Sequence, residues 1–220
     1  GPPEEWRVRE ARAHAGMGEA LYWLGDYTSA TEALDQAVAL GEAHDDAFTL
    51  AIALRFLGDM AINVEGDLEK AADLLARSLA AAEQLGDPWA VVRTLLFAGW
   101  VPWTRERYPE SEALWRRALE MADPEDRWAR VRALTSLSIN AGQVAKLDSA
   151  MALIEEASSL AEETGDLFSI GVTAVQTGRV FADLGRHAEV LPPLDRGIAI
   201  FTELGARWEL ADARAGRGIA

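Results

Sequence analysis

The sequence predicts an all-α fold, a right-handed α-solenoid of about five and a half helix-turn-helix units. The first observation behind this prediction is an aromatic residue that recurs every 39 to 42 positions. These aromatic residues are Trp6, Phe48, Trp89, Trp128, Phe168 and Trp208. The second observation is a small residue ten positions after each of them. The small residues are Gly16, Gly58, Gly99, Ser138, Gly178 and Gly218.

The third observation is a stripe of small and large apolar residues at i, i+4 and i+7 in the second helix of each unit. The stripes are Ala30/Leu34/Ala37, Ala71/Leu75/Ser78, Ser111/Trp115/Ala118, Ala150/Ile154/Ala157 and Val190/Leu194/Gly197. This spacing places the three residues on one face of an α-helix. Glycine lowers helix propensity by about 1 kcal/mol relative to alanine, so its recurrence in the first helix indicates a close helix crossing.

The individual helices follow from this register and from the residues between them. First helices are predicted near 4–24, 45–64, 88–105, 124–144, 167–184 and 206–220. Second helices are predicted near 27–40, 67–85, 108–121, 147–164 and 187–204. Left-handed glycines are expected to close them at Gly25, Gly66 and Gly185, and at Gly41, Gly86, Gly165 and Gly205. Asp87-Pro88 and Asp123-Pro124 predict helix starts, because a capping carboxylate precedes a proline at the first helical position.

The units together predict one continuous superhelical domain over 1–220. The unit bounds are about 4–41, 45–86, 88–122, 124–165 and 167–205, followed by a lone helix at 206–220. That lone helix leaves an apolar face that a second helix would ordinarily cover, so we expect a fragment of a larger protein.

Composition argues against several classes of function. The formal charge of −15 disfavours direct nucleic-acid binding, because an acidic surface repels phosphates. The absence of cysteine excludes disulfides and thiolate metal sites. No apolar run approaches the roughly 18 residues that would span a bilayer. We therefore expect a cytoplasmic protein that does not enter a membrane.

Catalytic and metal-binding patterns are also missing from the sequence. The histidines His14, His44 and His187 fall in different units, and repeats in a solenoid contact only their neighbours. No glycine-rich phosphate-binding loop and no metalloprotease motif occurs. The prediction is a protein that is not an enzyme, with no catalytic residues, no cofactor and no metal.

The layout resembles the tetratricopeptide repeat family. The family's small, small, large, small pattern is matched by Gly99/Ser111/Trp115/Ala118, Ser138/Ala150/Ile154/Ala157 and Gly178/Val190/Leu194/Gly197. The longer unit, with turns such as Leu85-Gly86-Asp87-Pro88-Trp89, is similar to the repeat regions of large bacterial signal-transduction ATPase regulators of the MalT/LuxR-like and AfsR-like kinds. The resemblance implies a sensor or docking arm whose concave groove is lined mainly by first helices.

Carrying this register across gives the residues expected in the groove. They are Arg55, Asp59, Asn63, Arg93, Trp100, Trp103, Thr104, Arg132, Thr135, Gln143, Arg179 and Asp183. The four arginines among them would form a cationic ladder suited to an acidic peptide or a chain terminus, since guanidinium groups bind carboxylates in a fork. The alternative is that these arginines pair with carboxylates on neighbouring helices.

One unit departs from the pattern at Gly99-Trp100-Val101-Pro102-Trp103. Pro102 lies inside the predicted helix, where it removes a backbone donor, so we expect a kink near Val101. Trp100 and Trp103 then either form an aromatic floor in the groove or fill the packing gap that the kink creates.

The function predicted from these observations is a protein-interaction or ligand-sensing scaffold of a larger bacterial transcription or signalling regulator, with a protein or peptide partner in the groove. One alternative is a sensor of a small-molecule effector or peptide with a pocket near Trp100 and Trp103. Another is homo-oligomerisation through the terminal helix at 206–220.

Overall fold

The computed structural model describes residues 4–219 and contains α-helices and one π-helical turn in that range. The first helices of the repeats are α1 (Glu4–Trp23), α3 (Ala47–Met60), α5 (Pro88–Ala98) with α6 (Trp100–Thr104), α8 (Arg127–Gln143), α10 (Leu167–Asp183) and α12 (Arg207–Ile219). The second helices are α2 (Tyr27–Ala43), α4 (Leu68–Leu85), α7 (Tyr108–Met121), α9 (Leu147–Thr164) and α11 (His187–Leu204). The π-helical turn, Ala61–Glu65, extends α3. The predicted all-α class of paired helices is confirmed.

The helices fall into two compact units. Unit 1 covers residues 1–107 and contains α1 to α6, and unit 2 covers residues 108–220 and contains α7 to α12. Within unit 1, α1 pairs with α2 and α3 with α4; within unit 2, α8 pairs with α9 and α10 with α11. The single continuous domain expected from the sequence stays a prediction.

Within each unit, the first helices lie on the more tightly packed side. In unit 1, α1 contacts α3 and α3 contacts α5; in unit 2, α8 contacts α10 and α10 contacts α12. Among the described residues, no comparable packing joins α2 to α4 or α9 to α11. Helices that approach on one side and diverge on the other give a curved layer, so the first helices line the inner side of each unit.

Most of the predicted helix ends are confirmed. The left-handed conformation is present at Gly25, Gly66, Gly86, Gly165, Gly185 and Gly205, with φ between 65° and 77°. At the start of α5, Asp87 accepts a hydrogen bond from the Trp89 backbone N–H at 3.0 Å, with Pro88 at the first helical position. The terminal positions therefore follow the expected capping chemistry.

Two predicted ends are wrong. Gly41 lies inside α2 and is buried, because its missing side chain makes room for Leu50 of α3; the left-handed residue after α2 is Asp45, with φ 50°. Asp123-Pro124 forms a turn before α8, and the cap is Asp126, whose carboxylate accepts from the Ala129 N–H at 3.1 Å.

Small residues in first helices contact the large residue of the following second helix, as the stripes predict. A Cβ added to Gly58 would lie 2.6 Å from Leu75 Cγ, and one added to Gly178 would lie 2.7 Å from Leu194 Cγ. In the first repeat, however, the residue in this position is Gly18, whose added Cβ would lie 2.5 Å from Leu34 Cγ. Gly16 has open space around it, so the predicted register of α1 is wrong by two residues.

The predicted disruption around Pro102 is present, but it lies slightly earlier. The helix is interrupted at Gly99, which separates α5 from α6. Pro102 has no N–H to donate to the carbonyl of Ala98, four residues before it, and its ring crowds that carbonyl. The hydrogen-bond ladder is therefore weakened just before Val101.

One stretch of unit 1, Ala47–Glu65, is long and apolar enough to cross a membrane, although Arg55 and Asp59 interrupt its apolar sequence. In its most apolar part, 72% is buried inside the fold. This is the behaviour of a helix at the centre of a packed core.

Candidate functional site

The inner side of unit 1 contains a cluster of aromatic rings from three successive first helices. The Phe56 ring of α3 lies 4.9 Å from the Tyr22 ring of α1 and 5.7 Å from the Phe97 ring of α5, measured between centroids. Trp23 also contacts Phe56, at 6.2 Å, and remains 45% exposed. We call these four residues the unit 1 aromatic cluster. It joins α1, α3 and α5 through large apolar surfaces.

Arg55 lies against this cluster and is only 2% exposed. Its guanidinium carbon is 4.9 Å from the Phe56 ring centroid and 5.7 Å from that of Phe97, a cation–π arrangement. Its Nε and Nη1 atoms are buried and have no hydrogen-bond partner. The predicted groove residue is therefore in the core of the inner side rather than on an open surface.

The charge of Arg55 is poorly compensated. Burial lowers the pKa of Arg55 to about 10, the charge of Glu19 opposes this shift, and the charge of Arg93 adds to it. The side chain is still protonated at neutral pH. A buried cation without a hydrogen-bonded carboxylate is a costly arrangement, because removal from water is offset here by the rings and the charge of Glu19.

Asp59, one turn further along α3, belongs to a polar network beside the same rings. The Tyr22 hydroxyl donates to Asp59 Oδ2 at 2.5 Å, and the Asn63 amide donates to the same oxygen at 3.0 Å. Asp59 is 5% exposed, whereas Asn63 is exposed on the π-helical turn. Both residues were expected in the groove, and the hydrogen bond joins the exposed Asn63 amide to the buried Asp59 carboxylate.

The remaining predicted residues of unit 1 lie on α5 and α6. Arg93 is half-buried, with its guanidinium 4.9 Å from the Trp89 ring centroid. Trp100 and Trp103 pack edge to face, with centroids 5.4 Å apart, and both are half-buried. Thr104 is exposed and donates to the Trp100 backbone carbonyl at 2.9 Å. The two tryptophans thus cover each other while keeping part of each ring accessible.

In unit 2, the predicted residues on α8 do not form one site. Arg132 is half-buried, with its guanidinium 5.7 Å from the Trp128 ring. Thr135 is 4% exposed, and its hydroxyl has no hydrogen-bond partner. Gln143 is exposed at the end of the helix. Thr135 occupies the position of Arg55 in the repeat, so the sequence gives this position a polar group in both units.

On α10, Arg179 pairs with a carboxylate of a neighbouring helix, as one of the two alternatives expects. Its Nη2 lies 2.7 Å from Asp212 Oδ1 on α12. Asp183 is exposed at the end of α10; partial desolvation raises its pKa, and the charge of Arg179 opposes this shift. The four arginines of the predicted ladder therefore have different environments, and among them Arg55 is the buried one.

Sequence reasoning missed Tyr22, Glu19 and the ring pair of Phe56 and Phe97. The signal for Glu19 was available: with Gly18 as the small residue of α1, Glu19 takes the position that Asp59 takes after Gly58. The ring pair could not be found in this way, because it depends on how α3 and α5 pack.

Residues 4–219 contain no group of three or more His, Cys, Asp or Glu side chains that could hold a metal ion. His14 Nδ1 is buried and has no hydrogen-bond partner.

Comparison with known proteins identifies the fold. No family model matches the sequence, and no curated protein matches it. A Rap protein complexed with competence and sporulation factor has a TM-score of 0.77 at 13% identity, over 93% of this chain and 57% of that one. The fold is that of tetratricopeptide-repeat proteins.

Other solved structures agree. PilF of Pseudomonas aeruginosa has a TM-score of 0.62 at 17% identity, over 97% of this chain and 90% of that one. A signal-transduction ATPase with numerous domains from Pyrococcus horikoshii, which has a tetratricopeptide repeat sensor, has a TM-score of 0.60 at 14% identity. The alignment covers 95% of this chain but 36% of the ATPase. The chain therefore spans about a third of that protein and, for the Rap protein, somewhat more than half.

Proposed function

We propose that this chain is a non-enzymatic repeat scaffold that binds a peptide or protein segment on the inner side of its first helices, as the sensing or docking region of a larger bacterial regulator. Occupation of the inner side would change the packing between successive first helices and so reach neighbouring modules. In this proposal the regulator is of the MalT/LuxR-like or AfsR-like kind.

The observation that carries the proposal is the distribution of buried polar side chains. Those on first helices are Thr49, Arg55, Asp59, Thr94, Thr135, Ser136, Ser138, Asn140, Ser169, Thr173 and Gln176. On second helices, only Ser78 and Ser111 are in this class among the described residues. Several of these groups are paired within the fold, as Ser138 is with the Ala150 carbonyl, but Arg55, Thr135 and Asn140 have buried polar atoms without a hydrogen-bond partner. Unpaired buried polar groups weaken a core, so these three support a requirement other than packing.

The comparisons support the same class of function. The Rap structure is a complex with competence and sporulation factor, and the Pyrococcus ATPase has a tetratricopeptide repeat sensor. These similarities are of fold, and the partner of this chain follows from its own inner side chains.

Selection from a peptide display library, followed by amide hydrogen exchange on the complex, tests this proposal. Bound peptide should protect α1, α3 and α5, or α8 and α10. Protection confined to α2, α4, α9 and α11 would contradict it, because those helices form the outer side of each unit.

The partly exposed ring pair of Trp100 and Trp103 favours a second candidate, a small-molecule sensor. Quenching of tryptophan fluorescence by a metabolite mixture should then disappear in Trp100→Phe and Trp103→Phe but persist in Trp208→Phe. Homo-oligomerisation through 206–220 is tested by sedimentation of the chain with and without that helix; Trp208, 54% exposed, is its large apolar contact candidate.

A further inference from the structure

Arg55 lacks the carboxylate partner that two other arginines of first helices, Arg12 and Arg179, have. Arg12 of α1 donates from Nε and Nη2 to the two carboxylate oxygens of Asp46, both at 3.0 Å. Arg179 of α10 pairs with Asp212. Arg55 is more deeply buried than either and yet has two donors without a partner. The most costly of these guanidinium groups is thus the one that the fold itself leaves unsatisfied.

Packing alone does not account for an arginine at this position. The corresponding residues of the next repeats are Leu96, Thr135 and Val175, so the site accepts smaller and uncharged side chains. Replacement of a buried ionic group by an apolar one of similar volume is commonly neutral or stabilising. A role in recognition explains why the charge is present.

The surroundings of Arg55 define what can bind it. Glu19 attracts the guanidinium through its charge but forms no hydrogen bond with it. The rings of Phe56 and Phe97 lie beside the guanidinium group and supply no hydrogen-bond acceptor for its Nε and Nη1 donors. A carboxylate supplies the missing acceptor, because its oxygens form charge-assisted hydrogen bonds with guanidinium N–H groups.

We propose that Arg55 binds a carboxylate group of the peptide ligand, at the inner side of unit 1 between α1, α3 and α5. This inference rests on the proposed function and adds the ligand chemistry. Because Arg55 is 2% exposed, the carboxylate reaches it after the side chain moves outward from the two rings. Glu19 has the same charge as the ligand and opposes its approach, so it acts as a filter against weakly bound anions.

The test uses the full chain and a set of fluorescent dodecapeptides drawn from the display selection. Each peptide is made with its Asp and Glu residues intact or changed to Asn and Gln, and with a free or an amidated C-terminus. The four forms separate a side-chain carboxylate from a terminal one. Binding to the chain is measured by fluorescence polarisation.

Removal of the contacting carboxylate should weaken binding by about tenfold or more, the loss expected for a charge-assisted pair. Arg55→Met should cause the same loss, and peptides with and without the contacting carboxylate should then bind this variant equally. Glu19→Gln should tighten binding of the carboxylate form by severalfold. Arg214→Met is the matched control, because Arg214 is exposed on α12 and its removal changes the net charge equally.

The Nε–Hε NMR resonance of Arg55 in the wild-type chain gives a readout that does not depend on any variant. This resonance should shift on addition of the peptide that carries the contacting carboxylate. It should stay in place on addition of the peptide in which that carboxylate is replaced by an amide. If peptides bind but neither Arg55→Met nor the amide forms change affinity, this inference is wrong and the scaffold proposal stands. If no peptide binds in any form, both are wrong.

Discussion

The register of the first repeat can be tested with two glycines on one helix. Gly18 and Gly16 both lie inside α1, two positions apart, so alanine at either one raises helix propensity by the same amount, about 1 kcal/mol. They differ in their surroundings. An alanine Cβ at 18 would lie 2.5 Å from Leu34 Cγ and 2.6 Å from Leu34 Cδ2, whereas one at 16 meets no atom within 4 Å.

The difference between the two variants therefore isolates the overpacking energy. Contacts this short force Leu34 or the helix itself to shift, which typically costs about 1–3 kcal/mol. Gly16→Ala should stabilise the chain by up to about 1 kcal/mol. Gly18→Ala should be less stable than Gly16→Ala by about 1–3 kcal/mol, or roughly 2–12 °C in melting temperature for a protein of this size.

Urea unfolding followed by far-ultraviolet circular dichroism measures both variants against the wild type. Leu34→Ala in the Gly18→Ala background should recover part of the loss, because the two residues are in contact and their effects are coupled. Gly178→Ala repeats the test in unit 2, where the added Cβ would lie 2.7 Å from Leu194 Cγ. Equal stability of the Gly16 and Gly18 variants, or a larger loss at Gly16, would refute the corrected register.

The other predictions concern buried charge and the helix interruption. Arg55→Met should raise the free energy of unfolding by about 1–3 kcal/mol, because it removes buried donors without partners; a loss measured by urea titration would show that the rings and Glu19 compensate the charge. Asp46 is desolvated, which raises its pKa, but hydrogen bonds from Arg12 and Thr49 outweigh this and hold the pKa below its usual value. The Asp46 contribution to stability is then fully present above the ordinary pKa of about 3.9 and is lost as pH falls through the lower folded value, so Asp46→Asn should flatten the acid side of a stability–pH profile. Pro102→Ala should restore the hydrogen bond to the Ala98 carbonyl and join α5 to α6, with slower amide exchange at residue 102 and its neighbours; unchanged exchange there would assign the interruption to Gly99.

Matched control variants separate the effects of Arg55→Met and Asp46→Asn from the general effect of removing one charge. Arg214→Met controls for the loss of one positive charge at an exposed position. Asp45→Asn, next to Asp46, controls for the loss of one carboxylate and should leave the acid side of the profile unchanged.

Periodicity alone predicted the helices well, because each repeat places the same small and large residues in contact. The prediction failed in α1, where Trp6 suggested the register. Trp6 is 61% exposed, and the residue forty positions before Phe48 is Val8. The glycines show the correct alignment, since Gly18 precedes Gly58 by forty positions. A residue that must fit against a neighbour is thus a better marker of register than a large residue that can be exposed.

The candidate site was less predictable, for a related reason. The register gave Arg55, Asp59 and Asn63 as candidates for the groove. Arg55 lies beside the ring of Phe97, which comes from another repeat. Its buried Nε and Nη1 atoms have no hydrogen-bond acceptor. Neither can be obtained from the spacing of residues within one helix.

Packing fixes one position of each first helix and leaves the next position variable. The small residue is constrained by the large residue of the following helix, as Gly58 is by Leu75. The residue after it is free to vary, and across five repeats it is Glu19, Asp59, Trp100, Ile139 and Arg179. Because the helix turns by about 100° per residue, these two positions point in different directions, one toward the second helix and one toward the neighbouring first helices and the inner side. Under the proposed function, substitutions at the variable position change what the inner side binds while the contact that sets the spacing of the repeats is kept.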